Sequence, residues 1–66
     1  MDKLEISNVI KSTMKEKGLT VRSLAENIEM KHPQVIRVTG GNNYHIDTLM
    51  KILDGLDLEI EIKRRD

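Results

Sequence analysis

Cysteine is absent from the 66 residues, so neither a disulfide nor a thiolate metal site is available to staple a small chain. Net charge is absent as well: eleven basic and eleven acidic residues cancel, which speaks against a protein held to nucleic acid by bulk charge. No apolar run approaches the roughly 18 residues of a membrane span. The opening MDKLEISNVI is charged from its second residue, unlike a signal peptide. Internal repeats and low-complexity segments are missing. So are a Ser–His–acid set, paired carboxylates in an evident pocket and a phosphate-cradling glycine loop, and an enzyme is therefore not expected. These absences predict one small cytoplasmic domain, in a compartment that cysteine usage suggests is reducing. A chain of this size buries only ~60% of its unfolded surface, which favours a dimer that hides more apolar area.

What is present is unevenly spread. Between positions 11 and 22, Lys11, Lys15, Lys17 and Arg22 face a single acid, Glu16. Between Met30 and Ile46 stand Lys31, Arg37 and two histidines, with no acid. The acids gather at Asp54, Asp57, Glu59 and Glu61, so a folded chain is expected to show one basic and one acidic side.

Leu4, Ile6, Val9, Ile10 and Met14 recur at spacings of three and four and predict an amphipathic helix over about Lys3 to Lys17, stopped by Gly18. Thr20 can cap a second helix carrying Val21, Leu24, Ala25 and Ile28 on one face. The stretch KHPQVIRVTGG then places the only proline at a helix start, because proline lacks an N–H and disfavours helical geometry in the residue before it. Lys31 or His32 is the expected cap, Val35 and Val38 face a core, and Gly40 or Gly41 ends the helix. About two turns would not survive alone, so neighbouring elements must hold them. After the polar NNYH, a fourth helix is expected from Ile46, Leu49, Met50, Leu53 and Leu56.

The period then changes. Leu56, Leu58, Ile60 and Ile62 alternate with charged residues, as in a half-buried strand. No other segment reads as a strand, so pairing with the same strand of a second copy across a two-fold axis is expected, with those four residues at the interface; the alternative is a strand-like tail that packs its leucines on the chain's own helices. The division is residues 1–56 as the helical domain and 57–66 as strand and basic tail.

Two short helices joined by a tight turn, the second with outward polar side chains, form the arrangement that lays its second helix in the DNA major groove. The residues GLT at 18–20, LAE at 24–26, Val35, Arg37, Val38, Gly41 and TL at 48–49 make the segment Ile10 to Leu58 resemble the Cro/repressor-type (Xre-like) helix-turn-helix family, without a gap. The chain departs from that family's pattern at Val21, where glutamine is common, and at Glu29, where the turn usually has glycine. It departs also at Lys31, a usual capping serine, and at Ile36, a usually polar outward site.

The resemblance implies an all-α, lambda-repressor-like four-helix fold that binds double-stranded DNA through the major groove and regulates transcription, as a repressor on a palindromic operator. It implies base contacts from His32, Pro33, Gln34, Ile36 and Arg37. Of these, Arg37 can give two hydrogen bonds to guanine, Gln34 can read adenine, Ile36 can touch a thymine methyl, and Pro33 shapes the helix start. It implies phosphate contacts from Thr20, Arg22 and Ser23 before and within the second helix, and from Lys31, Asn42, Asn43 and Tyr44 around the third. No cofactor is expected, and no metal: His32 and His45 have no cysteine or tightly paired acid beside them. Two other readings remain open. One is an antitoxin that regulates its own operon with a toxin, or a related anti-repressor, as protein partner; the other is a protein-interaction module that kept the fold and lost DNA binding.

Overall fold

The computed structural model describes residues 2–65, in which four helices succeed one another: α1 (Lys3–Glu16), α2 (Val21–Asn27), α3 (His32–Thr39) and α4 (Ile46–Gly55). Asp2 caps α1, its carboxylate accepting from the Glu5 N–H at 2.8 Å. Thr20 caps α2 as its hydroxyl predicts, and Ser23 reciprocates by accepting from the Thr20 N–H at 2.9 Å, closing a capping box. Lys31 is the N-cap of α3, with Pro33 in the first turn, where its missing N–H leaves no bond unmade.

All four helices end alike. The residue after each C-cap takes a left-handed conformation: Gly18 (φ 68°), Glu29 (φ 54°), Gly41 (φ 72°) and Asp57 (φ 57°). The next N–H reaches back across the last turn, from Leu19 to Met14, Met30 to Ala25, Asn42 to Arg37 and Leu58 to Leu53, at 2.8 to 2.9 Å. This six-to-one bond satisfies carbonyls that a helix end would otherwise leave bare.

The core is Ile10 and Met14 from α1, Leu24 and Ala25 from α2, Val35 and Val38 from α3, and Leu49, Ile52, Leu53 and Leu56 from α4 and its end. The short α3 touches each of the other three helices, which explains how two turns of helix persist. The buried faces of α1 and α4 match the expected ones only in part. On α1 the inward positions are Ser7, Ile10 and Met14, while Leu4 and Val9 lie 65% and 54% exposed. On α4 they are Leu49, Ile52 and Leu53, with Ile46 and Met50 turned to solvent. Ser7 can occupy an inward site because its hydroxyl donates to the Thr39 carbonyl at the end of α3, which leaves no polar atom unmatched there.

The expected C-terminal strand is not formed: among the described residues there is no strand, and from Leu58 onward the chain has no regular structure. A strand exists only with a ladder partner, and one copy of the chain supplies none. Leu56, expected at a dimer interface, is 1% exposed and closes the core of its own chain. Leu58 packs half-buried against that core, whereas Ile62 is 92% exposed.

Candidate nucleic-acid interface

The site is built on the segment from Val21 to Thr39. Leu24 and Ala25 anchor α2 in the core and Val35 and Val38 anchor α3, so the turn between the helices is held from both sides. Within it Glu29 takes the left-handed position, its N–H donating to the Glu26 carbonyl at 3.3 Å. Ile28, just before it, lies against Gly55 of α4, where any side chain would overlap the isoleucine methyl. Glycine at position 55 is what lets the turn approach the fourth helix so closely.

Because Val35, Val38 and Thr39 point inward, the remaining face of α3 points out. His32, Pro33, Gln34, Ile36 and Arg37 are all exposed on it, Ile36 by 45%. Arg37 makes no ion pair among the described residues, so its guanidinium is free for a partner outside the chain. The helix cannot shift readily beneath these side chains, since the Ser7 hydroxyl holds its last turn to α1.

A two-helix unit with a tight turn, an anchored second helix and five outward side chains on it is the geometry of a helix-turn-helix. The profile of the Cro/C1-type HTH DNA-binding domain matches residues 9–61. The chain belongs to that family.

One solved structure similar to this Cro/C1-type domain is that of the MDT Protein, with a TM-score of 0.89 and 22% sequence identity over 100% of this chain and 94% of that one. At such identity the likeness concerns the fold. No curated protein matches the sequence.

Around α3 the other expected contacts of this Cro/C1-type domain fall into two groups. Arg22 on α2, Lys31 at the start of α3 and Asn42 just after it are exposed, and the side chains of Lys31 and Arg22 make no ion pair among the described residues. The others are engaged within the chain. Thr20 and Ser23 spend their hydroxyls on one another and on the α2 N-terminus. Asn43 accepts from the Lys3 ammonium, and Tyr44 is half-buried with that ammonium 5.7 Å from its ring centroid.

Lys3 was not among the expected residues. It brings positive charge to the loop after α3 from forty positions away, a juxtaposition that no local spacing signals. Lys51 of α4 also joins Lys31 and Gln34 along a groove of about 420 Å³, but Glu29 and Asp47 line the same groove. The potential there is mixed rather than uniformly positive. His32 and His45 begin or cap helices at the surface, and no group of three metal-ligating side chains occurs among the described residues.

Proposed function

We propose that this Cro/C1-type domain is a sequence-specific transcriptional regulator, a repressor that occupies an inverted-repeat operator as a homodimer. The observation that carries the reading is the outward face of α3, where His32, Pro33, Gln34, Ile36 and Arg37 stand together on a helix locked from beneath by Val35 and Val38. In the major groove, Arg37 pairs with guanine O6 and N7, Gln34 bonds an adenine or a phosphate, and Ile36 meets a thymine methyl. His32 and Pro33 lie at the groove-entering end of the helix.

Arg22, Lys31 and Asn42 hold phosphates through their side chains. Thr20 and Ser23, whose hydroxyls serve the capping box, approach the DNA backbone as a helix start, and Asn43 and Tyr44 do so together with Lys3. Residues 1–56 form the DNA-binding unit and 57–66 the pairing segment, in which Leu58, Ile60 and Ile62 carry the apolar contacts between copies. Leu56 supports that segment from within its own core. Two copies related by a two-fold axis would set their α3 helices about one DNA turn, ~34 Å, apart.

Selection from random duplex DNA tests this, with an Arg37→Ala variant run beside the parent at matched salt. The expected result is a two-fold symmetric site at which the variant loses ~1–3 kcal/mol of discrimination at one base pair. The acids Glu29 and Asp47 beside Lys31 and Lys51 favour one competing reading, a protein-interaction module. That reading predicts no enriched site and no steep fall of DNA affinity with salt, because few counterions would be released. An antitoxin role would leave the DNA result unchanged and add a protein ligand.

A further inference from the structure

The segment after α4 alternates apolar and charged residues as far as Lys63. In an extended chain Glu59, Glu61, Lys63 and Arg65 share one face and Leu58, Ile60, Ile62 and Arg64 the other. Two observations bear on this alternation. The Lys63 ammonium lies 3.7 Å from the Glu61 carboxylate, as two residues on one side of an extended backbone would. Leu58 packs on the core and Ile60 lines a groove of about 230 Å³ with Ile6, Val9 and Leu53, a groove that Glu5, Glu59 and Glu61 also line, while Ile62 is 92% exposed.

The charged row is ordered acid, acid, base, base. An order of this kind is complementary to its own reverse, which is what a two-fold axis presents. We propose that two copies pair these segments antiparallel with the axis at Ile62, so that Glu61 faces Lys63 of the second copy and Glu59 faces Arg65 of the second copy. The proposal rests on the homodimer reading and adds its register.

Other registers fail on charge. An axis at Glu61 sets that carboxylate against itself, and an axis at Lys63 does the same with two ammonium groups. An axis at Ile60 opposes Glu59 to Glu61 twice over. An axis between residues turns the apolar row of one copy against the charged row of the other. Centring on Ile62 leaves opposite charges at both steps of the row from Glu59 to Arg65, sets Ile60 beside Arg64 of the second copy, and brings the two most exposed apolar side chains of the pair together.

The chain's lack of cysteine makes the test direct. Single-cysteine variants at positions 60 to 64 are oxidised mildly and scored for cross-linked dimer, beside sedimentation of the uncross-linked proteins. Ile62→Cys should cross-link best, Ile60→Cys and Arg64→Cys poorly alone but well when mixed, since those two positions face each other. In a second arm, Glu61→Lys and Lys63→Glu should each raise the dimer dissociation constant about tenfold, and the double swap should restore it. Helical circular dichroism confirms that each variant folds. A dimer that cross-links best elsewhere, or that ignores the charge changes, overturns the register and leaves the homodimer standing. A chain that sediments as a monomer at every concentration overturns both.

Discussion

Gly18 and Gly41 end α1 and α3 in the same left-handed conformation that Glu29 and Asp57 adopt after α2 and α4. The backbone bonds are the same at all four ends, but the conformational cost is not. Glycine enters this region freely, whereas a residue with a Cβ gives up roughly 1–2 kcal/mol there. The two costly ends are the helix-turn-helix turn and the departure of the C-terminal segment, the two places that the proposed function uses. The reciprocal bonds from Met30 to Ala25 and from Leu58 to Leu53 help to offset that cost, as does the packing of both residues on the core. The residue two places beyond the C-cap, through its returning N–H and its packed side chain, thus specifies such a helix end as much as glycine does.

The largest effect is expected at the contact beneath the turn. Gly55→Ala would drive a methyl into Ile28, the C-cap of α2, and should destabilise the domain by about 1–3 kcal/mol in urea unfolding. A cost near zero would mean that the turn is free to move off α4. Next come Gly18→Ala and Gly41→Ala. Each Cβ would have open space around it, so the expected loss of about 1–2 kcal/mol is conformational alone, and equal losses at the two sites would establish that. Glu29→Gly should act in the other direction, adding about 0.5–1 kcal/mol of stability once the greater unfolded-state entropy of glycine is set against the relief. No change in stability would show that the glutamate side chain compensates for its own backbone.

The helical boundaries were legible from capping and turn chemistry: Thr20, Pro33 and the glycines at 18 and 41 sit where their physical preferences place them. The outward face of α3 was legible too, because Val35 and Val38 fix which side is buried. The faces of α1 and α4 were legible in part: Ile10, Met14, Leu49 and Leu53 are buried as expected, whereas Leu4, Val9, Ile46 and Met50 are not. Val9 lies three residues after Ile6, and Met50 four after Ile46, spacings as helical as those of the true inward positions. The inward position that breaks the tie on α1 is a serine, whose burial depends on a carbonyl of α3. Hydropathy has no access to such a partner. For the same reason Lys3 could not be assigned to the loop of Asn43 and Tyr44. The period of two after Leu56 spelled a strand, but period supplies only half of a ladder, and the other half is not in one copy of the chain.

The smallest effect separates the two costly ends from each other. Asp57 lies 3.6 Å from the Lys17 ammonium, which joins the end of α4 to the end of α1; Glu29 makes no such pair among the described residues. Both partners of the Lys17 pair are solvated, so its worth is only about 0.2–0.5 kcal/mol and should shrink as salt is raised. Asp57→Gly is therefore expected to stabilise slightly less than Glu29→Gly, because it relieves the backbone and removes the pair together. A double-mutant cycle isolates the difference. Lys17→Ala should cost that small amount in the parent and nothing in the Asp57→Gly background. If the cost of Lys17→Ala survives in both backgrounds, the lysine acts instead on the carbonyl end of α1, where it is the C-cap and a cation is favoured by the helix dipole. Asp57 would then bear its left-handed conformation without electrostatic help, leaving the backbone bond from Leu58 to Leu53 and the burial of Leu58 as what holds the end of α4.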